Sequence, residues 1–198
     1  FYEWAFSLSA NDPALEKKVA EIRETVNSNY LADLRKFVDE NPEHPDIEQY
    51  KQQLKDAESG QKEQLIAESK ERVERNPTDN DLRYELGSRL YDNEDYREAI
   101  QHLQQAKRSP NLRIKVMNML GQCYDRMNMS DLAASQFEEA IAELQVMDDT
   151  KKELLYNVGL LYNKLDEEEK YLESLKEIYA VDYGYKDVAE RVEKSYGG

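Results

Sequence analysis

The sequence predicts an all-α chain, an α-solenoid of antiparallel helix pairs closed by a C-terminal capping helix. Three observations carry that expectation. An apolar-Gly step recurs at Leu86-Gly87, Leu120-Gly121 and Val158-Gly159, first 34 and then 38 residues apart. Apolar residues recur at helical spacing almost throughout. Only 7 Gly and 5 Pro interrupt 198 residues, so most of the chain is free to be helix. With 39% hydrophobic and 35% charged residues, the composition is polar for a compact sphere and suits a thin structure with much surface per residue.

The organisation predicted along the chain is a helical N-terminal region over 1–79, three repeats over 80–185 and a capping helix with a tail over 186–198. In 1–13, Ala5 followed by Asn11-Asp12-Pro13 reads as the tail of a repeat's second helix and its turn, or as an aromatic lead-in that packs on the first helix. The first reading, with Phe1 in place of Met, makes the chain a piece of a longer repeat protein. Over 13–45, Tyr30, Leu34 and Phe37 have the spacing of a second-helix stripe, and Asn41-Pro42 precedes Asn76-Pro77 by 35 residues, which suggests a degenerate repeat. Residues 46–79 stay open. Ile47, Tyr50, Leu54 and Ala57 run at heptad spacing, and Ser59-Gly60 either breaks them into a helix pair or is passed by one long helix.

The repeats follow at 80–113, 114–151 and 152–185. Between the first two, Leu86, Gly87, Leu90, Ala99, Leu103 and Ala106 recur as Leu120, Gly121, Tyr124, Ala133, Phe137 and Ala140, every one at an offset of 34. A glycine inside a helix costs about 1 kcal/mol relative to alanine. Three at one phase therefore need a compensating contact: close approach of a second helix, with a small Ala of that helix packed on the glycine. For the second repeat this predicts a first helix (A) over 111–127 and a second (B) over 130–146. Asn76-Pro77 and Ser109-Pro110 stop B helices, and Thr150 with Glu153 forms a capping-box pattern that opens the third repeat. Tyr185, Val188, Ala189, Val192 and Tyr196 fall on one helical face and would cover the last apolar surface. Gly197-Gly198 is then a tail.

This spacing resembles the tetratricopeptide (TPR) family, whose 34-residue unit runs large residue, Leu-Gly, Tyr, Ala, Phe, Ala. The chain departs from that pattern at Arg83, where the family prefers Trp and where Met117 and Leu155 are apolar. In the third unit Tyr171 and Ile178 replace the two alanines, and four extra residues near 146–150 lengthen one connection.

Chemistry-bearing constellations are sparse. His44, in a turn between two prolines, and His102 have no second ligand at metal spacing. Cys123, the only cysteine, excludes an internal disulfide and reads as a structural thiol on helix A. Asp148-Asp149 and 166–169 lack the alternating ligands and glycine of a calcium loop. There is no phosphate-cradling glycine loop and no nucleophile elbow. No cofactor, metal or catalytic residue is expected, and the chain does not read as an enzyme. A net charge of −15 and a pI near 4.7 repel phosphate backbones and anionic lipid, so nucleic acid is not an expected partner. The acidity serves solubility or attracts a basic partner. No apolar run reaches the roughly 20 residues of a membrane helix. The lone cysteine fits a reducing compartment such as the cytoplasm, while a periplasmic or membrane-anchored full-length context is the alternative.

The resemblance implies that A helices line a concave face that holds a protein or peptide. Stepping along that face gives Tyr84, Ser88 and Tyr91, then Asn118, Gln122 and Asp125, then Tyr156, Leu160 and Asn163, flanked by Asp92, Arg126 and Lys164. Tyr84, Ser88, Tyr91, Asn118, Gln122, Arg126, Tyr156 and Asn163 are the predicted partner-binding residues: aromatic anchors and amides suited to an extended peptide. Some relatives clamp acidic chaperone tails with Lys and Asn on helix A. Here Tyr84 and Ser88 occupy those positions and Glu153 replaces a later Lys, so that activity is not expected. The function read from the sequence is a non-enzymatic scaffold or adaptor. The alternatives are a structural or assembly segment of a larger, membrane-anchored or envelope-associated repeat protein, and a helper domain of an enzyme encoded upstream.

Overall fold

In the computed structural model, residues 13–196 are described. The readings of the N-terminal lead-in before Pro13 and of the Gly197-Gly198 tail fall outside those residues. The described residues form nine helices and no strand. The chain divides into two units, Phe1–Leu65 and Ile66–Gly198, with the boundary inside the second helix.

In the first unit, α1 (Pro13–Glu40) is one helix, not the helix pair of a degenerate repeat. Its stripe buries Val19, Leu31 and Leu34 but leaves Tyr30 exposed. Asn41 ends it, the Asn41 Nδ2 donating to the Phe37 carbonyl at 2.9 Å. In the turn, the rings of Phe37, His44 and Tyr50 meet at centroid distances of 4.6–5.5 Å. The His44 Nδ1 accepts from the Asp46 N–H at 3.1 Å, so this histidine is a turn residue. The next helix, α2 (Ile47–Arg75), runs through Ser59-Gly60 unbroken. A Cβ at Gly60 would meet nothing within 4 Å. Its penalty is one helix-propensity term among 29 residues, too small to end the helix.

The second unit takes the C-terminal part of α2 and stacks three helix pairs on it: α3 (Asn80–Asp92) with α4 (Tyr96–Ala106), α5 (Arg113–Arg126) with α6 (Ser130–Glu143), and α7 (Asp149–Lys164) with α8 (Glu168–Tyr179). The short α9 (Val188–Lys194) follows. Every A helix ends the same way. Glu94, Asn128 and Asp166 take left-handed φ values of 66°, 58° and 59°. The next residue's N–H reaches back to the Leu90, Tyr124 and Tyr162 carbonyls, each at 2.9 Å. This six-to-one bond with a left-handed residue before it is the Schellman ending, and it turns the chain directly into the B helix. Asn and Asp tolerate that conformation; Glu94 does so without such help.

Apolar clusters interlock the pairs. Ile66 and Val73 of α2 join Leu86, Leu90 and Leu103 of the first pair and Val116 and Leu120 of the next. Met117 of α5 joins Phe137 of α6 and Leu154, Val158 and Leu161 of α7. Val188 and Val192 of α9 complete the last cluster with Leu155, Leu175 and Ile178. Ala189 is half-buried, and Tyr196 is exposed.

Two local expectations are corrected. The helix-A glycines meet the large residue of the B helix, not its alanine. A Cβ at Gly87 would lie 2.7 Å from Leu103 Cγ, and one at Gly121 2.5 Å from Phe137 Cε1, with the Ala99 carbonyl at 3.5 Å the nearest alanine atom. The glycine makes room for a bulky knob, which buries more apolar surface than an Ala–Gly contact would. The third pair is not opened by a Thr150/Glu153 capping box: Asp148 is the N-cap, its Oδ1 accepting from the Lys151 N–H at 2.9 Å. An aspartate carboxylate at this position satisfies an orphan N–H and the helix dipole together. Asp148→Ala is expected to cost about 1 kcal/mol, and Thr150→Ala next to nothing, in paired thermal melts.

Candidate functional site

The A helices contact one another in order, α3 to α5 and α5 to α7, which sets their exposed residues in rows. The first row runs from Tyr84 on α3 to Asn118 on α5 and to Glu153 and Asn157 on α7. Asn118 Nδ2 donates to Glu153 Oε1 at 3.0 Å, while Asn118 Oδ1 accepts from Asn157 Nδ2 at 3.0 Å and from Gln122 Nε2 at 3.2 Å. Asn118 is thereby occupied within the chain. Gln122 and Asn157 each keep an amide hydrogen and a carbonyl without a partner among the described residues, the donor and acceptor pair that an extended backbone needs.

A depression of about 450 Å³ opens between α5 and α7. Gln122, Asp125 and Arg126 of α5 line it with Asn157, Leu160 and Lys164 of α7, and Tyr91 of α3 and Asn128 contribute. Its apolar lining comes from Leu160 together with the buried Phe137 and Leu161. Lys164 Nζ bridges to Asp125 Oδ1 at 2.8 Å. Arg126 is exposed, and the nearby Tyr91, the largest cause, holds the guanidinium pKa above its ordinary value.

Of the residues predicted from the sequence, the structure brings Tyr91, Gln122 and Arg126 together in this depression. Tyr84 lies half-buried against the first core cluster, Ser88 is half-buried and Asn163 is exposed; none lines the depression. Burial, and then the charge of Glu153, raise the Tyr84 pKa. Tyr156 is engaged by the segment before α9. Its hydroxyl donates to Asp187 Oδ1 at 2.7 Å, and Lys186 Nζ stands 4.1 Å from its ring centroid. Asn157 and Asn128 were missed by the sequence reading. Asn157, Leu160 and Lys164 are an i, i+3, i+7 row one residue removed from the Tyr156 line, and a wider stripe would have included it.

Cys123 is fully buried, and burial pushes its thiol pKa up to about 12, which suits a packing group and not a nucleophile. His102 is half-buried, and desolvation lowers its pKa. Among the described residues no group of three or more His, Cys, Asp or Glu is placed to hold a metal ion, and no helix is long and apolar enough to cross a membrane.

Neither a protein-family model nor a curated protein matches the sequence. Solved structures do resemble the fold. One crystal structure of MamA aligns at a TM-score of 0.61 and 19% identity, covering 73% of this chain and 82% of that one. A second MamA structure aligns at 0.60 and 16%, covering 84% and 81%. A thermophilic TPR protein of Thermus thermophilus, TTC0263, aligns at 0.57 and 15%, covering 90% of this chain and 94% of its own. At such identities the likeness shows the fold alone: this chain has a TPR-like helical-repeat fold.

Proposed function

We propose that the chain is a non-enzymatic scaffold or adaptor that holds an extended segment of a partner protein along the A-helix face. In this reading 80–113, 114–151 and 152–185 are the repeats that build the face, flanked by the helical region of 1–79 and by the cap of 186–198. The observation that carries it is the depression between α5 and α7, where an apolar floor at Leu160 is bordered by half-engaged amides at Gln122 and Asn157 and by the Tyr91–Arg126 pair. An extended peptide presents alternating side chains and unpaired backbone groups, and this lining answers both.

The test is affinity capture from the native cell extract, with Tyr91→Ala/Gln122→Ala as the control. These residues line the depression; Tyr91 also packs against the first core cluster and the Tyr96 ring, so the double variant is used with a thermal melt that shows it folded, whereas Tyr156→Ala would also release Asp187. A partner retained by the wild type and lost with the double variant is expected. A partner indifferent to the variant would move binding off this face and favour the assembly reading.

A further inference from the structure

We infer that the segment held on this face is acidic, and that one of its Asp or Glu side chains pairs with Arg126 in the depression between α5 and α7. The inference rests on the partner-binding reading above and names the chemistry of the bound segment.

Charge is divided between the two kinds of helix. The B helices α4, α6 and α8 carry nine aspartates and glutamates against three lysines and arginines. The A helices α3, α5 and α7 carry six against eight. A chain with a net charge of −15 thus keeps a small positive excess on the helices that build the face. An acidic segment is repelled by the B helices and not by the A helices.

The excess has one open position. Each A helix has a single cation in its last turn, Arg89, Arg126 or Lys164, where the helix dipole favours it. Two of the three are paired: Arg89 with Glu85 and Lys164 with Asp125, both at 2.8 Å. Among the described residues no carboxylate lies within 4.0 Å of Arg126. The repeat supplies the reason. Lys164 finds its carboxylate on the A helix before its own, at Asp125. Arg126 holds the phase of Lys164, 38 residues earlier, but 34 residues before Asp125 stands Tyr91, a neutral phenol.

Arg126 lines the depression, and the only other charged side chains in that lining are Asp125 and Lys164, which neutralise each other. The depression therefore carries one uncompensated guanidinium, beside the apolar floor at Leu160 and the half-engaged amides of Gln122 and Asn157. A guanidinium receives a carboxylate through two parallel N–H donors, and it is already partly shielded from water here by the walls of the depression. An extended segment that sets its backbone against the amides and an apolar side chain on Leu160 would bring a neighbouring acidic side chain to Arg126.

The probe is a set of rhodamine-labelled synthetic peptides of one length, with amidated C-termini, matched in apolar content and differing in their number of Asp, Glu, Lys and Arg. They are titrated by anisotropy at low salt against the whole chain. The wild type should bind members with Asp or Glu. Arg126→Gln should weaken them about tenfold and leave the melting temperature unchanged, Arg126→Lys should keep most of the affinity, and Arg126→Glu should lose more than Arg126→Gln. Full affinity in Arg126→Gln, or a wild type that prefers neutral or basic members, would overturn the acidic segment; loss of those members in Tyr91→Ala/Gln122→Ala would leave the face itself standing. Neutral peptides that bind only with a free C-terminus would overturn it too, by making a terminal carboxylate the ligand. So would an Arg126→Gln variant that melts well below the wild type, by making Arg126 a structural cation. No binding of any peptide would remove the partner-binding reading and this inference with it.

Discussion

Gly121→Leu is expected to lower the melting temperature by about 10 °C, the effect of roughly 3 kcal/mol of overpacking in a chain of this size. A Cβ at Gly121 would lie 2.5, 2.7 and 2.8 Å from Phe137 Cε1, Cζ and Cδ1. Phe137 is 2% exposed, so its ring has no open space to yield into. The added isobutyl group therefore pushes α5 from α6, and with it the cluster that Phe137 shares with Leu154 and Val158 of the next pair. Gly121→Ala should cost less, because one methyl asks for a smaller shift. Gly159→Ala should be neutral or slightly stabilising. Its Cβ would meet Leu175 Cδ2 and Ser174 Cβ at 3.4 Å, close to ordinary contact, and alanine gains about 1 kcal/mol of helix propensity. Tyr171 and Ile178 stand in α8 where α4 and α6 carry alanines, and these larger side chains fit a wider α7–α8 approach. Circular dichroism melts of the three variants order them. An unchanged melting temperature in Gly121→Leu would mean that Gly121 faces no helix.

The repeat was legible because its packing code is local. Gly87 and Gly121 with Leu103 and Phe137 are contacts between neighbouring helices, so they recur at one sequence offset. What the offset could not say was which B-helix residue fills the glycine's space, since Ala99 and Leu103 share a face and only backbone approach decides between them. The N-terminal region was less legible. A stripe such as Tyr30, Leu34 and Phe37 fits a short helix as well as the 28-residue α1, and Ser59-Gly60 marks a break only if something competes with the helix there. On the candidate face, the exposed phase of each A helix could be read to within one residue. Which side chains were already spoken for could not. Asn118 is held by Glu153 and Asn157, and Tyr156 by Asp187, each more than 30 residues away in sequence.

Val188→Asp should undo the C-terminal end of the stack while leaving its beginning folded. Val188 is fully buried and Val192 is 3% exposed, and both complete the cluster of Leu155, Leu175 and Ile178. A carboxylate cannot stay at that position unpaired. The nearest way to rehydrate it is to release α9, whose seven residues are too few to remain helical alone. Release gives up the burial of two valines, about 3 kcal/mol or more. It also breaks the Tyr156–Asp187 bond and lifts Lys186 from the Tyr156 ring. In a stack where each pair leans on its neighbours, the loss is felt first by α7 and α8 and only weakly by α3 and α4. Hydrogen exchange should therefore show α8 and the N-terminal half of α7, which carries Leu155 and Tyr156, losing protection by about a hundredfold, the factor that 3 kcal/mol implies, with α3 amides nearly unchanged. Uniform loss along the second unit would mean that it unfolds as one cooperative block, and full protection of α8 would mean that α9 does not cover the last pair.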